Sequence, residues 1–490
     1  MIGGRQPLRG NKPGDRRVRV DRPQARYFRY TDKNVLTAKA AASAPTTATG
    51  RAWERVRRVL IGRPLATEEE VGERLSKTKA LAIFSSDAIS SSAYATEEIL
   101  RALVFGSVGV SLAALAWSVP VAIAVAFLLG VVAISYRQVC MAYPTGGGSY
   151  SVSKANFGRM ASLVAASALL IDYILTVAVS ISSASEQVVA ALPDLHDIQV
   201  EIAVAAIVLV TLGNLRGLRE SGNIFAAPTY LFVAMALLMI ALGTFQIVVQ
   251  GQGGPSPSTI RASEELTTVA LLVLLLRAFA SGAVALTGVE AIATGVPAFK
   301  PPESRNAATT LGVMAVLLGV LFVGITFLAS GFGVVPDDQR TVIAQVAGHV
   351  FGADSIGYLL FLTFATLILV LAANTSFAAF PRLTAILARD GFFPRHFGLR
   401  GDRLAFTTGI VVLGGVAALL VIGFGGDTHA LIPLYVVGVF VDFTISQSGM
   451  VRHWLRSRPP GYRHRLAINA FGAVVTGCVA VIVTLMKLPG

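Results

Sequence analysis

The sequence predicts an all-α integral membrane protein, built as an inverted repeat in which helices 1 and 6 are discontinuous. Three observations lead to this fold class. Of 490 residues, 54% are hydrophobic and only 14% are charged, whereas soluble domains carry about 25% charged residues. The apolar residues form runs of the length that a membrane-spanning helix needs, about 20 residues. Two of these runs are interrupted by polar residues at mid-length, and no run alternates like a barrel strand.

Eleven hydrophobic segments are predicted and are numbered 1 to 11 in chain order. With a cytoplasmic N-terminus and alternating segments, 17 of the 22 Lys and Arg residues after residue 79 fall in inside loops, as the positive-inside rule requires. We therefore predict a multi-pass protein of the cell (cytoplasmic) membrane with its N-terminus in the cytoplasm. The segments lie near 79–105, 109–135, 159–191, 198–215, 224–249, 267–297, 307–333, 353–382, 404–425, 429–451 and 465–488.

The N-terminal part of the chain differs from the rest in charge. Residues 1–79 carry 19 Lys and Arg against 8 Asp and Glu, without apolar periodicity over the first 50. We predict a disordered basic cytoplasmic arm at 1–54 and a transmembrane domain at 55–490. No nucleic-acid partner is expected from this charge. Cys140 and Cys478 lack metal-ligand spacing, and no cofactor is predicted.

The interruptions in segments 1 and 6 define the inverted repeat. They lie at 85–94 and at 285–295, five segments apart, so the two segments cross the bilayer in opposite senses. Paired discontinuous helices of this kind hold the substrate near the bilayer midplane in many transporters. Irregular backbone at membrane depth is tolerated where it lines a cavity or is buried in protein. The sequence therefore predicts a shared binding site between the two breaks.

Four carboxylates lie inside predicted spans, where ionisable residues are costly and usually functional. They are Asp87, Asp172, Glu290 and Asp442 in segments 1, 3, 6 and 10. The alternative is a structural carboxylate that pairs with an Arg or caps a helix. That alternative is strongest for Asp442, because it lies closest to a predicted cytoplasmic end.

Hydroxyl groups accompany two of these carboxylates. Asp172, Thr176 and Ser180 are four residues apart and share one helix face, and Thr287 lies three residues before Glu290. A single buried Ser or Thr usually bonds its own backbone, but a stripe of three oxygen-bearing residues is more specific. Tyr435 is a lone tyrosine in segment 10, and an interface-anchoring role stays open for it.

The candidate ligands of the predicted site are all oxygens. Oxygen ligands suit a hard cation rather than a transition metal, and carbonyls with hydroxyls can replace the hydration shell of an alkali ion. An amino acid carboxylate would favour a glycine-rich first break, and the break at 85–94 has no glycine. The site thus favours a monovalent cation or a substrate dominated by an amine. The candidates are Asp87, Tyr94, Thr176, Ser180, Thr287 and carbonyls freed at the breaks.

Glu290 beside such a site would be drawn toward ionisation by the cation and toward protonation by burial. We therefore predict that it is the coupling proton site. The stretch YPTGGGSYSVSKANFG, residues 143–158, lacks the GK[ST] of a phosphate loop. It is predicted to be a cytoplasmic gate segment that leads into an interfacial helix.

Several motifs in order and spacing carry a family resemblance from about residue 55 to the C-terminus. They are RVLIGRPL, LSKTKALAIFSSDAISSSAYATEEIL, YPTGGGSYSVSKANFG, ALTGVEAIATGVPAFK and LIPLYVVGVF. The chain resembles the KimA-type potassium importers of the KUP group, within the amino acid–polyamine–organocation superfamily. The resemblance implies a non-enzymatic transporter of LeuT-type fold with twelve helices, which takes up potassium together with protons across the bilayer.

By motif match, the resemblance implies a role for each site residue. Asp172 would lie near the ion, and Glu290 would couple proton movement. The implied potassium ligands are Asp87, Tyr94, Thr176, Ser180, Thr287 and Tyr435.

The sequence departs from that family at its C-terminus. The family has a twelfth helix and a cytoplasmic domain for homodimerisation and inhibition by cyclic di-AMP, and this sequence stops after segment 11. A truncated chain is expected, and neither property is predicted for it. A proton-coupled amino acid or polyamine permease is the main alternative. A non-transporting sensor or inactive truncation is another.

Overall fold

The computed structural model describes two units, Met1–Gly62 and Arg63–Gly490. In the first, β1 (Leu8–Arg9) pairs antiparallel with β2 (Arg16–Arg17), and β3 (Phe28–Asp32) pairs antiparallel with β4 (Val35–Ala38). Most of 1–54 lies outside the described residues, so the disordered arm stays a prediction despite these two hairpins. The described residues are 74–105, 112–216, 222–254, 268–337, 340–399 and 406–487, with 8–9, 16–17, 28–32, 35–38, 47 and 49.

The second unit is helical. Segment 1 consists of α1 (Lys77–Phe84), α2 (Ser86–Ser90) and α3 (Ser92–Phe105). Ser76 begins it as an N-cap, since its side chain accepts a hydrogen bond from the Lys79 amide. The next helices are α4 (Ser118–Ala142), α5 (Gly148–Asn156), α6 (Arg159–Ala191), α7 (Gln199–Leu215) and α8 (Gly222–Val248).

Segment 6 also consists of pieces, α9 (Thr268–Gly282) and α10 (Val289–Thr294), joined by a 3₁₀ turn at Ala283–Leu286. The remaining helices are α11 (Glu303–Gly331), α12 (Val342–Phe351), α13 (Ile356–Arg389), α14 (Thr407–Gly423), α15 (Thr428–Ser457) and α16 (Tyr462–Lys487).

Each of the eleven predicted segments overlaps a helix or a broken helix. Within the described residues, nine helical stretches are long and apolar enough to cross a membrane. Of the other two predicted segments, α14 has 17 residues, and segment 1 is divided into pieces of 8, 5 and 14 residues. The ten-residue α12 was not predicted, because a helix so short leaves no membrane-length apolar run.

The core of this unit lies around α6, which packs against α13 and α15. In its most apolar stretch 72% of the residues are buried, against 28% in α7, α8 and α16. Asp172, Thr176 and Ser180 on α6 are all buried and therefore face other helices. This central position brings the polar stripe of segment 3 into the interior.

Candidate functional site

Segment 6 breaks completely at Thr287 and Gly288. Thr287 is extended, with ψ of 151°, and Gly288 has a φ of +79°, in the left-handed region that favours glycine. Space is lacking as well: a Cβ added at Gly288 would lie 2.7 Å from the Ala88 nitrogen and 2.8 Å from Cγ of Asp87. Gly288 therefore lets the backbone of segment 6 contact the part of segment 1 that carries Asp87.

The interruption in segment 1 is slighter. Ser85 and Ser91, between its helices, keep right-handed helical dihedral angles. The hydroxyls of Ser90, Ser91 and Ser92 each donate to the carbonyl three residues earlier, at 2.6–2.8 Å. Short hydroxyl side chains compete for helix carbonyls in this way. The carbonyls expected to be free at this break thus already accept hydrogen bonds from the serine run.

Asp87 lies in α2 and is 2% exposed. Its Oδ2 accepts a hydrogen bond from Oγ1 of Thr375 in α13 at 3.4 Å, and its Oδ1 has no partner among the described residues. None of the salt bridges of the described residues includes Asp87. A buried carboxylate without a counter-ion is costly, so Oδ1 is suited to bind a cation.

The predicted hydroxyl ligands are buried on segments 1, 3, 6 and 10, and the phenols of Tyr94 and Tyr435 are close enough to Asp87 to interact with it. The Thr176 and Tyr435 hydroxyls bond each other at 2.8 Å. The Thr287 hydroxyl donates to the carbonyl three residues earlier, at 2.9 Å. The Tyr94 hydroxyl and Oγ of Ser180 have no partner within the described part of the chain. Two buried hydroxyls are therefore available to a ligand.

Tyr435 shows that these groups form one neighbourhood. Asp87, Asp172 and Tyr94 are all close enough to its phenol to interact with it electrostatically. The side chain of Tyr435 is fully buried and its hydroxyl bonds Thr176, so it faces the interior and does not anchor an interface.

Asp172 and Glu290 form a pair of buried carboxyl groups from α6 and α10. The two carboxyl groups lie close enough to each other to interact electrostatically. Oδ1 of Asp172 and both carboxyl oxygens of Glu290 have no donor partner among the described residues. Two carboxyl groups this close share a proton readily, because their negative charges repel.

Asp442 has a different environment. Its Oδ2 accepts a hydrogen bond from the Tyr136 hydroxyl of α4 at 3.1 Å, and its Oδ1 accepts one from Ser149 of α5. The carboxyl thus connects three helices. The structural alternative for Asp442 named an Arg or a helix end as its partner, and the structure has two hydroxyls instead.

Sequence reasoning missed several polar contacts. Thr375, which contacts Asp87, lies in the polar run NTS of an otherwise apolar segment, and that run was the available signal. Glu97 and Glu98 lie only 3% and 6% exposed in α3. They bracket His429, whose Nε2 lies 3.3 Å from Glu97 and whose Nδ1 lies 2.6 Å from Glu98. His429 and Glu98 are 331 residues apart in the chain, so no local sequence pattern indicates that they pair.

Among the described residues, no group of three or more His, Cys, Asp or Glu side chains could hold a metal ion. Asp87 is the one carboxylate among the predicted ligands, which are otherwise neutral hydroxyls, and the Asp172 and Glu290 carboxyl groups lie close to it. Such a donor set matches a singly charged cation better than a divalent ion.

Comparison with known proteins assigns the family. A sequence model of the family described as amino acid permease matches residues 75–489. The chain belongs to the amino acid permease family. Members of this family are membrane transporters and not enzymes, and the chain is accordingly an all-helical, multi-pass membrane transporter. The matched range contains every residue of the candidate site.

Curated relatives of this permease differ in what their names say they carry. The potassium transporter KimA of Bacillus subtilis is 47% identical over 437 residues, which cover 89% of this chain and 70% of KimA. The low-affinity putrescine importer PlaP of Escherichia coli K12 is 24% identical over 344 residues, covering 66% of this chain and 71% of PlaP. The resemblance inferred from the motifs is thereby confirmed.

Proposed function

We propose that this permease imports potassium together with protons by alternating access. The observation that carries the proposal is the partner-free Oδ1 of Asp87, buried beside hydroxyl groups from four segments. A cation at that position would receive the counter-charge that the carboxylate lacks. The proposed potassium ligands are Asp87, Tyr94, Thr176, Ser180, Thr287 and Tyr435.

Potassium is the cation that these ligands fit best. Neutral hydroxyl and carbonyl oxygens replace the hydration shell of an alkali ion, and a single carboxylate balances a single charge. The relative KimA, at 47% identity, is named a potassium transporter, which supports the same choice. Asp172 would lie near the bound ion without coordinating it.

The proton would be held by the Asp172–Glu290 pair, with Glu290 as the coupling residue. A proton shared between two buried carboxyl groups relieves their repulsion. A potassium ion at Asp87 supplies positive charge in the same neighbourhood. The occupancy of one site would therefore change the proton affinity of the other, which is the requirement for coupled movement.

We also assign a LeuT-type fold with discontinuous helices 1 and 6, on a domain that spans 55–490 behind a basic arm at 1–54. The contact between Gly288 and Asp87, and the hydrogen bond from Ser91 to the Ala285 carbonyl at 3.2 Å, support a pairing of the two breaks. The charge asymmetry of the loops supports a cytoplasmic N-terminus in the cell membrane.

A proton-coupled amine permease is the second candidate. An ammonium group also binds a carboxylate and hydroxyl oxygens, and the relative PlaP is named a putrescine importer. Because the geometry around Asp87 would accept either kind of cation, the transport experiment must offer both.

Rubidium uptake into proteoliposomes tests the proposal. The purified chain should accumulate rubidium when a proton gradient is directed inward, and unlabelled potassium should compete better than putrescine. Asp87→Asn should lose this uptake, because the amide cannot balance the ion. Asp354→Asn, which changes an exposed acid in the same way, should keep it. Undiminished uptake by Asp87→Asn would refute the proposed site.

A further inference from the structure

A column of buried polar groups continues from Glu290 away from the proposed potassium ligands. Thr294 follows Glu290 by one helical turn on the same face of α10, about 6 Å along the axis. The hydroxyl oxygens of Thr294, of Tyr173 beside it, and of Ser446 beside Tyr136 are buried without partners in the described part of the chain. Groups of this kind are commonly linked by buried water.

The column reaches Asp442 through the glycine-rich loop before α5. A Cβ added at Gly148, the first residue of α5, would lie 2.7 Å from Oγ1 of Thr294, and one added at Gly146 in the loop would lie 2.6 Å from the Thr294 carbonyl oxygen, so both residues contact the end of α10. The next residue, Ser149, donates its hydroxyl to Asp442. Asp442 is also close enough to Glu290 to interact with it electrostatically.

The environment of Asp442 fits a group that gains and loses a proton. It is 1% exposed, both hydrogen-bonding partners are neutral hydroxyls, and it takes part in none of the salt bridges of the described residues. The Tyr136 phenol, which bonds Asp442, also interacts electrostatically with Glu290.

The far end of the column lies near the surface. Pro144 and Thr145 are exposed, whereas Gly148 and Ser149, a few residues later, are buried. The loop that contacts Thr294 and leads into Ser149 therefore reaches the protein surface. A proton on Asp442 would need to cross only this loop to leave the protein.

We infer that Asp442 is a second proton site, which exchanges a proton with Glu290 along the hydroxyls of Thr294, Tyr173, Tyr136 and Ser149. The proton leaves a Glu290 oxygen and ends on an Asp442 oxygen. Each hydroxyl or intervening water accepts one proton as it donates another, so no co-reactant is consumed. This inference rests on the proposed proton coupling and assigns the release route of that same proton.

The test separates ion binding from net proton movement. Asp442→Asn in proteoliposomes should retain rubidium–potassium exchange at equal internal and external pH, because exchange does not require the proton to leave. Accumulation driven by a proton gradient should fall by about 100-fold or more, since a positioned proton-transfer group contributes at least about that much. Asp442→Glu, which restores a protonatable group, should recover accumulation.

The control is Ser135→Ala on α4, beside Tyr136. It removes a buried hydrogen bond to Asn469 outside the column and should leave both activities intact. Wild-type accumulation by Asp442→Asn would overturn the inference and leave the proposed function standing. Loss of exchange and accumulation together, without recovery in Asp442→Glu, would assign Asp442 a structural role and also overturn it. If the wild type does not accumulate rubidium, the proposed function fails and this inference fails with it.

Discussion

At Gly288 a single missing side chain brings the two interrupted segments together. Two independent features exclude a side chain at this position. Its φ is +79°, and an added Cβ would lie 2.7 Å from the Ala88 nitrogen. The crowding atoms belong to backbone and to a buried carboxyl, and these cannot rotate aside as the end of a flexible side chain would.

Gly288→Ala should therefore separate segments 1 and 6. We expect a loss of stability of about 1–3 kcal/mol from the strained backbone and the contact, together with loss of rubidium uptake. Thermal unfolding in detergent and uptake in proteoliposomes measure the two effects. Gly319→Ala is the control, because its added Cβ meets nothing within 4 Å. Equal behaviour of the two variants would contradict the close contact.

Residues differ in how well the sequence reveals them. The burial of Asp87, Asp172 and Glu290 inside the helical unit could be predicted, because each lies within an apolar run of membrane-spanning length. The contact between Thr375 and Asp87 could not, since a single hydroxyl in a helix usually bonds its own backbone, and this one also donates to the Ala372 carbonyl at 2.7 Å. Its second contact, with Asp87, exists only in the folded chain.

Among the elements, α5 is held to the end of α13 by a polar cluster. Nζ of Lys154 lies 2.6 Å from Oδ2 of Asp390, and the Tyr150 hydroxyl donates to the same oxygen. Burial alone would raise the pKa of Asp390, but the hydrogen bonds from Lys154 and Tyr150 and the Lys154 charge outweigh it and hold this pKa below its usual value. Burial, followed by the Asp390 hydrogen bond, raises the pKa of Tyr150, which stays protonated as a donor.

Asp390→Asn should weaken this attachment by about 0.5 kcal/mol, because the pair is partly exposed and screened. A carboxyl whose pKa is lower in the folded state stabilises it fully above the unfolded pKa, about 3.9. That contribution disappears as the pH falls through the folded value. The melting temperatures of wild type and variant should therefore differ at pH 7 and converge toward pH 3. A difference that persists at acid pH would contradict the ion pair.

Elements followed from the sequence wherever their apolar runs were long. The break in segment 6 could be predicted around residues 285–295, because Gly288 lies there among polar residues. The sequence did not reveal that the interruption in segment 1 is slighter than the one in segment 6. The serines that suggest a break in segment 1 also donate hydrogen bonds to its helix carbonyls. The helix α12 was missed because its ten residues are too few to cross a bilayer.

In the whole molecule, the buried helix α6 contributes residues to both the proposed potassium site and the proposed proton site. Its Thr176 and Ser180 lie with the proposed potassium ligands, and its Asp172 neighbours Glu290. A single helix in contact with both sites allows a potassium ion and a proton to influence each other over a short distance. The helical membrane fold class could be predicted from the sequence, because composition and the number of apolar segments determine it. The pairing of distant polar groups depends on packing.

Acidification of the vesicle interior tests proton-coupled potassium import most directly. A pH-sensitive dye inside proteoliposomes reports protons that enter with the substrate while the membrane potential is held at zero. The account predicts that external potassium acidifies the interior, that putrescine does not, and that Asp87→Asn abolishes the signal. Acidification by putrescine alone, or potassium entry without acidification, would contradict it.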